Sequence, residues 1–175
     1  AQLAITSFAN GIFGRGVIMD FPRLRGLEWL ENGTAITTEW LDQWEEEHNI
    51  QVGKGDIVLI RTGRWSRREA VGAWDLSQES AGLHASAVAW FKERDVAIIG
   101  SDSALDVRPS GVSDFPQPVH ALVLVALGMP ILDNLDLGAV AEEADLHNRA
   151  EFLFTTAPLR VGGGTGSPLN PIATF

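Results

Sequence analysis

Three short runs of aliphatic and β-branched residues constrain the fold of this sequence more than any other feature. They cover residues 17–21, 57–62 and 96–100, and each is bounded by proline, glycine or polar residues, as buried strands are. Helical patterns separate the runs: Thr37 can cap one helix, and an apolar stripe predicts another over residues 78–94. Strands that alternate with helices predict an α/β fold.

Composition narrows the function classes. The chain has 175 residues, 45% of them apolar, and we expect one domain over residues 1–175. Its longest apolar run is interrupted by His120 and is too short for a membrane span, so we expect no membrane segment. A net charge of −10 argues against nucleic acid as a partner. The absence of cysteine excludes thiolate sites and fits a cytoplasmic protein, and it leaves acid/base chemistry to histidine, carboxylates and lysine.

Four arginines form the one basic cluster of the sequence, and we expect them to lie on a solvated loop rather than on a docking patch. They are Arg61, Arg64, Arg67 and Arg68.

The stretch "FPQPVHALVLVALGMPILDN" predicts a contact between His120 and Asp133. A helix from His120 to Gly128 rises about 12 Å at 1.5 Å per residue. If Gly128 and Pro130 reverse the chain, the extended residues 129–133 return over about 13 to 16 Å. Asp133 then lies level with His120 in apolar surroundings.

Two interpretations of this pair remain open from the residues alone. A structural hydrogen bond inside a core is the commoner one for an arbitrary sequence. The alternative is an acid/base or metal-ligating pair, which the long polar loop before His120 favours. The loop, residues 102–114, is expected to form a wall of the site.

A glycine-rich segment, residues 158–171, lacks the lysine and the following helix of a phosphate-binding loop. It is either a flexible closing loop or a rigid loop that approaches a small ligand. In the second case Thr165, Ser167 and Asn170 offer polar groups to that ligand.

Five segments together resemble the metal-dependent cyclase-like hydrolases, a family that includes bacterial kynurenine formamidase (arylformamidase) and isatin hydrolase. They run in the family's order over nearly the whole chain: "GRGVIMDFPRLRG", "VGKGDIVLIRTGRW", "DVAIIGSDSALDVRPSG", "PVHALVLVALGMPILDNLDL" and "FLFTTAPLRVGGGTGSPLNPIA". The resemblance implies a swivelling β/β/α fold with a mixed sheet and flanking helices, and a protein that is usually a homo-oligomer. It also implies hydrolysis of an amide or lactam-like bond by water that zinc or manganese activates.

The resemblance implies that His120 and Asp133 match the family's late histidine and carboxylate, as acid/base groups or as ligands. Relatives often have glutamate at the second position, and the shorter aspartate weakens the case for direct ligation. The family's main metal ligands come from a segment of the form His-x-Gly-Thr-His-x-Asp-x-x-x-His, which this sequence lacks. Two residues cannot complete a metal centre. We therefore expect this chain to be the C-terminal portion of the family fold. The N-terminal part is absent from it and would be supplied by a missing fragment or by a partner.

The sequence thus predicts a metal-dependent hydrolase of a small aromatic molecule, of the arylformamidase type that converts N-formylkynurenine to kynurenine in tryptophan catabolism. His120 and Asp133 are the expected catalytic residues, and His120 would carry the proton to the leaving nitrogen. Trp65 would stack on the aromatic substrate, or fill the core, and Thr165, Ser167 and Asn170 would bind substrate. The alternative is a catalytically incomplete small-molecule binding or interaction module.

Overall fold

A computed structural model describes residues 4–175 and contains a six-stranded sheet, a two-stranded sheet and flanking helices. The strands are β1 (Ile12–Asp20), β2 (Ala35–Ile36), β3 (Ile57–Arg61), β4 (Gly82–Leu83), β5 (Ile98–Ser101), β6 (Ile131–Leu132), β7 (Glu151–Thr156) and β8 (Ile172–Thr174). The helices are α1 (Phe21–Leu24), α2 (Thr38–His48), α3 (Arg64–Val71), α4 (Ala87–Glu93), α5 (Pro118–His120) and α6 (Gly138–Leu146). A 3-10 turn (Ile5–Phe8) precedes β1, and α5 continues as a π-helix (Ala121–Leu127).

The main sheet is mixed, with strand order β6-β5-β3-β1-β7-β8. The first four of these strands are parallel, while β7 runs antiparallel to β1 and β8 antiparallel to β7. The parallel strands are buried because their aliphatic side chains pack on both faces, as Val17, Val58 and Ile99 do, each 0% exposed. The predicted α/β class is confirmed.

The predicted helix over residues 78–94 is wrong in its first half. Only α4 is helical there, while Gly82 and Leu83 form a strand that pairs with β2. A Cβ atom on Gly82 would lie 2.5 Å from the carbonyl oxygen of Leu105, so the backbone of the following loop packs directly on this glycine. Leu83 is apolar at a position that matched the predicted helical stripe. It is buried, at 1% exposed, but as a residue of a strand.

The basic cluster lies at the end of β3 and on α3, not on a solvated loop, so that expectation is wrong. Two of its arginines make ion pairs: Arg61 with Asp20 at 2.8 Å and Arg67 with Glu31 at 3.4 Å. Gly63 begins α3 with φ of 78°, a left-handed conformation that glycine adopts without strain.

The predicted helix from His120 to Gly128 is present, begins at Pro118 and is capped by Gly128, and only one of its sides is buried. Val119 and Val123 are 0% exposed, whereas Leu122 is 40% and Val125 80% exposed. One apolar face therefore packs on the core and the opposite apolar face meets solvent. Among residues 4–175, no helix has the length and hydropathy that a membrane span requires.

Candidate active site

Polar side chains collect where the parallel strands end. Asp20 is the last residue of β1, Thr62 follows β3, Asp102 follows β5 and Asp133 follows β6. The carboxyl ends of parallel strands meet at one edge of a sheet, where α/β proteins bind their ligands. Along this edge Asp133 lines one cavity and Asp20 another.

His120 and Asp133 are brought together as the sequence predicts. His120 is the last residue of α5, the left-handed Gly128 ends the π-helix, and the chain returns through β6 to Asp133. His120 Nε2 lies 3.0 Å from Asp133 Oδ2. The contact is present, and the catalytic roles of the two residues stay predictions.

Asp106 is the second partner of His120, and reasoning from the sequence missed it as an individual residue. Its Oδ2 atom lies 2.5 Å from His120 Nδ1 and accepts from the backbone N–H of His120 at 3.3 Å. Its Oδ1 atom accepts from the backbone N–H of Val119 at 2.7 Å. A signal was available: Asp106 stands between Leu105 and Val107 inside a polar loop, which favours burial of all three residues.

Two carboxylates therefore flank one imidazole. Hydrogen bonds to Asp106 and then to Asp133 raise the pKa of His120 to about 9, although partial burial opposes this shift. At neutral pH the ring is an imidazolium held between the carboxylates of Asp106 and Asp133. Such a group can hold a proton and release it when a neighbouring charge changes.

The segment after Asp133 is fixed from two sides. The backbone N–H groups of Asn134 and Leu135 donate to the carbonyls of Ser103 and Ser101, each at 3.0 Å. From α3, the guanidinium of Arg64 donates to the side-chain oxygen of Asn134. These bonds tie Asp133 to the loop after β5.

Trp65 also holds the segment after Asp133 in place. Its indole N–H donates to the carbonyl of Leu135 at 2.8 Å, and the guanidinium of Arg64 lies 4.3 Å from its ring centre. Within the chain Trp65 contacts Arg64 and the segment after Asp133. Its stacking on a substrate remains a prediction.

Asp102, which follows β5, is buried against the N-terminal end of α3 and fixes that end of the helix. Its carboxylate accepts from the backbone N–H groups of Thr62, Gly63 and Arg64 and from the Thr62 hydroxyl, at 2.8 to 3.2 Å. Burial raises the pKa of Asp102, while these donors stabilise its ionised form. Asp102 is thus a structural partner of α3, four residues before the carboxylate that holds His120.

A cavity of about 770 Å³ opens beside Asp133, between α6 and the C-terminal segment. Its walls are largely apolar, and its polar lining includes Asp133, Asn134, Ser167 and Asn170. Of the three predicted binding residues in the glycine-rich segment, Ser167 and Asn170 line this cavity and Thr165 does not. The Ser167 hydroxyl accepts from the backbone N–H of Leu159 at 2.9 Å, so it also shapes its own loop.

The site residues do not fit a divalent ion by themselves. Within the described part of the chain, no three histidine, aspartate or glutamate side chains cluster as metal ligands would. Both ring nitrogens of His120 are engaged by carboxylates. The other histidines lie elsewhere in local contacts: His48 with the Trp44 carbonyl, His84 with Ser86 and His147 with Glu143.

Comparison with known proteins gives consistent matches. The family described as "Putative cyclase" matches residues 3–105. The isatin hydrolase of Roseibium aggregatum is 28% identical over 146 residues, which is 79% of this chain and 51% of that protein. The chain therefore spans about half the length of this curated relative.

Solved structures agree in fold. A crystal structure described as a novel cyclase is 30% identical with a TM-score of 0.83, over 98% of this chain and 56% of that one. Isatin hydrolase A from Ralstonia solanacearum is 25% identical with a TM-score of 0.75, over 97% of this chain and 63% of that one. A neighbour described as a potential metal-dependent hydrolase with cyclase activity is 18% identical with a TM-score of 0.63, and that likeness concerns the fold alone.

Proposed function

Because the chain belongs to the cyclase family, we propose that it carries the acid/base part of a metal-dependent hydrolase that cleaves an amide or lactam bond of a small aromatic molecule. The isatin hydrolases among its relatives support a hydrolase of this family. An arylformamidase reaction, N-formylkynurenine to kynurenine in tryptophan catabolism, is the more specific form of the proposal.

The observation that carries the proposal is the imidazole of His120, held between Asp106 and Asp133 at the edge of a cavity. Hydrolysis of an amide needs a group that takes a proton from the attacking water and gives one to the leaving nitrogen. With Nδ1 anchored and the ring protonated at neutral pH, His120 can give a proton to the leaving nitrogen through Nε2 and regain one there afterwards. The partner of Nε2 is Asp133, 3.0 Å away, and Asp133 lines the cavity.

The cavity supports a small, flat substrate. Leu59, Phe152 and Phe154 contribute to its apolar wall, while Asp133 and Asn170 add polar groups. A pocket of this size, with few polar groups in an apolar wall, is typical of small-molecule sites. Ser167 and Asn170 line the cavity and are proposed as substrate contacts. Thr165 and Trp65, which do not line it, remain proposed substrate-binding residues.

The metal of the proposal needs ligands from outside these residues, because the described residues provide no complete set. We propose that a further segment or a partner, such as another copy in a homo-oligomer, completes the zinc or manganese site. The chain's own contribution is then the proton chemistry of His120 and Asp133 and one wall of the substrate pocket. We also propose a cytoplasmic location, which the absence of cysteine supports.

A second candidate function is a metal-free binding or interaction module that keeps the pocket. The observation that favours it is the lack of a three-ligand cluster among the described residues.

Metal analysis combined with a hydrolysis assay separates the two candidates. The complete encoded polypeptide is purified, its bound zinc and manganese are measured, and isatin and N-formylkynurenine are offered as substrates. The proposal expects a bound metal and hydrolysis of at least one substrate that is lost on chelation. A protein that holds no metal and hydrolyses neither compound, but binds them, would establish the binding module instead.

A further inference from the structure

When the His120 ring is neutral, two carboxylates compete for its one proton. A neutral imidazole carries a single N–H, on either Nδ1 or Nε2. Asp106 accepts at the first nitrogen and Asp133 at the second, so the neutral ring can satisfy only one of them. The choice decides which nitrogen has the free electron pair.

We propose that Asp106 is a positioning residue that fixes the neutral ring of His120 as the Nδ1–H tautomer and leaves Nε2 as the nitrogen that exchanges protons on the Asp133 side. The use of this tautomer rests on the proposed hydrolase function, in which the ring becomes neutral when Nε2 gives up its proton and then takes another one at the same nitrogen. The assignment of the tautomer itself rests on the geometry.

Three differences between the carboxylates favour Asp106. Its oxygen is nearer to the ring, at 2.5 Å against 3.0 Å. Its side chain is 1% exposed, whereas that of Asp133 is 30% exposed. Water can replace the ring as a donor to Asp133 but not to Asp106, and an unpaired buried oxygen is the more costly loss.

Asp106 also cannot turn away from the ring. Its carboxylate is held by the backbone N–H groups of Val119 and His120 at the start of the same helix. Its carbonyl accepts from the hydroxyl of Ser80 at 3.0 Å. The Leu83 backbone donates to the Leu105 carbonyl at 2.7 Å and accepts from Val107 at 3.0 Å. The position of the Asp106 carboxylate is therefore fixed by backbone contacts that do not involve the His120 ring.

Nuclear magnetic resonance of the protein with ¹⁵N-labelled histidine tests the assignment. Spectra are recorded well above the pKa of about 9, so that the ring of His120 is neutral. Three proteins are compared: the wild type, Asp106→Asn, and Asp133→Asn as the matched control on the other nitrogen. In Asp106→Asn we expect the amide oxygen to keep the bond to the backbone N–H of Val119. The amide N–H then faces His120 Nδ1 and donates to it, so Nδ1 must be the unprotonated nitrogen.

We expect Nδ1–H in the wild type and in Asp133→Asn, and Nε2–H in Asp106→Asn, so that the shifts of the two nitrogens exchange places. A wild-type ring that carries its proton on Nε2 would overturn the assignment, and this result needs no variant to fold. A tautomer that Asp133→Asn switches and Asp106→Asn does not would overturn it as well.

The spectra contain no substrate, so this test is separate from the proposed function. A protein with the Nδ1–H ring and no hydrolysis would refute the hydrolase and leave the role of Asp106 intact. Where hydrolysis is found, Asp106→Asn is expected to lower kcat and to leave KM unchanged, because Asp106 does not line the cavity.

Discussion

The raised pKa of His120 makes the stability of the fold depend on pH in a defined direction. The folded ring has a pKa of about 9, against 6.5 for a histidine without partners. Between these values the folded protein holds a proton that the unfolded chain has lost, so the free energy of unfolding falls as pH rises. A shift of this size corresponds to about 3 kcal/mol at 1.36 kcal/mol per unit.

The perturbation is His120→Asn, which removes the titrating group. We expect the wild type to have a higher free energy of unfolding than this variant, with the largest difference at pH 6.5 and below. The difference should shrink by about 3 kcal/mol as the pH rises through 9. Urea unfolding followed by tryptophan fluorescence at several pH values between 6 and 10 measures it. His147→Asn, at a solvent-exposed histidine, is the control and should leave the pH dependence unchanged.

A difference between wild type and His120→Asn that stays constant from pH 6.5 to 10 would refute the reasoning. The two carboxylates would then not hold the extra proton on the ring.

Three further predictions concern stability and are checked by the same unfolding measurement. Asp102→Ala leaves the buried donors at the start of α3 without an acceptor and should cost at least about 3 kcal/mol; a loss under about 1 kcal/mol would contradict this. Trp65→Phe removes the indole bond to Leu135 and should cost about 1 kcal/mol, whereas an unchanged stability with a raised KM would favour the substrate-stacking role. Val123→Ala should cost about 2 kcal/mol and Val125→Ala less than about 0.5 kcal/mol, since only the first side chain is buried; equal costs would contradict the one-sided packing.

The sequence was sufficient for the features that depend on local pattern. Buried runs of β-branched residues predicted β1, β3 and β5 because central parallel strands need apolar residues on both faces. The contact of His120 with Asp133 could be predicted because Gly128 and Pro130 reverse the chain within a short, countable distance.

Features that depend on distant packing could not be predicted in the same way. Gly82 lies in a strand because the backbone of the loop after β5 packs on it, and that loop follows more than twenty residues later. The partner of His120 at Nδ1 required the path of an irregular loop, which no periodicity describes. The π-helix is apolar on both its buried and its exposed face, so its sequence alone does not indicate which face packs on the core.

Turnover by His120→Asn shows whether His120 transfers protons in a hydrolase, as proposed. The complete protein and the variant are compared with a hydrolysed substrate at a pH and temperature where circular dichroism shows both to be folded. General acid/base catalysis contributes about 10² to 10⁴ in rate, so we expect kcat to fall by a factor in that range. A folded variant that keeps wild-type kcat would show that His120 is a structural residue and not a proton donor.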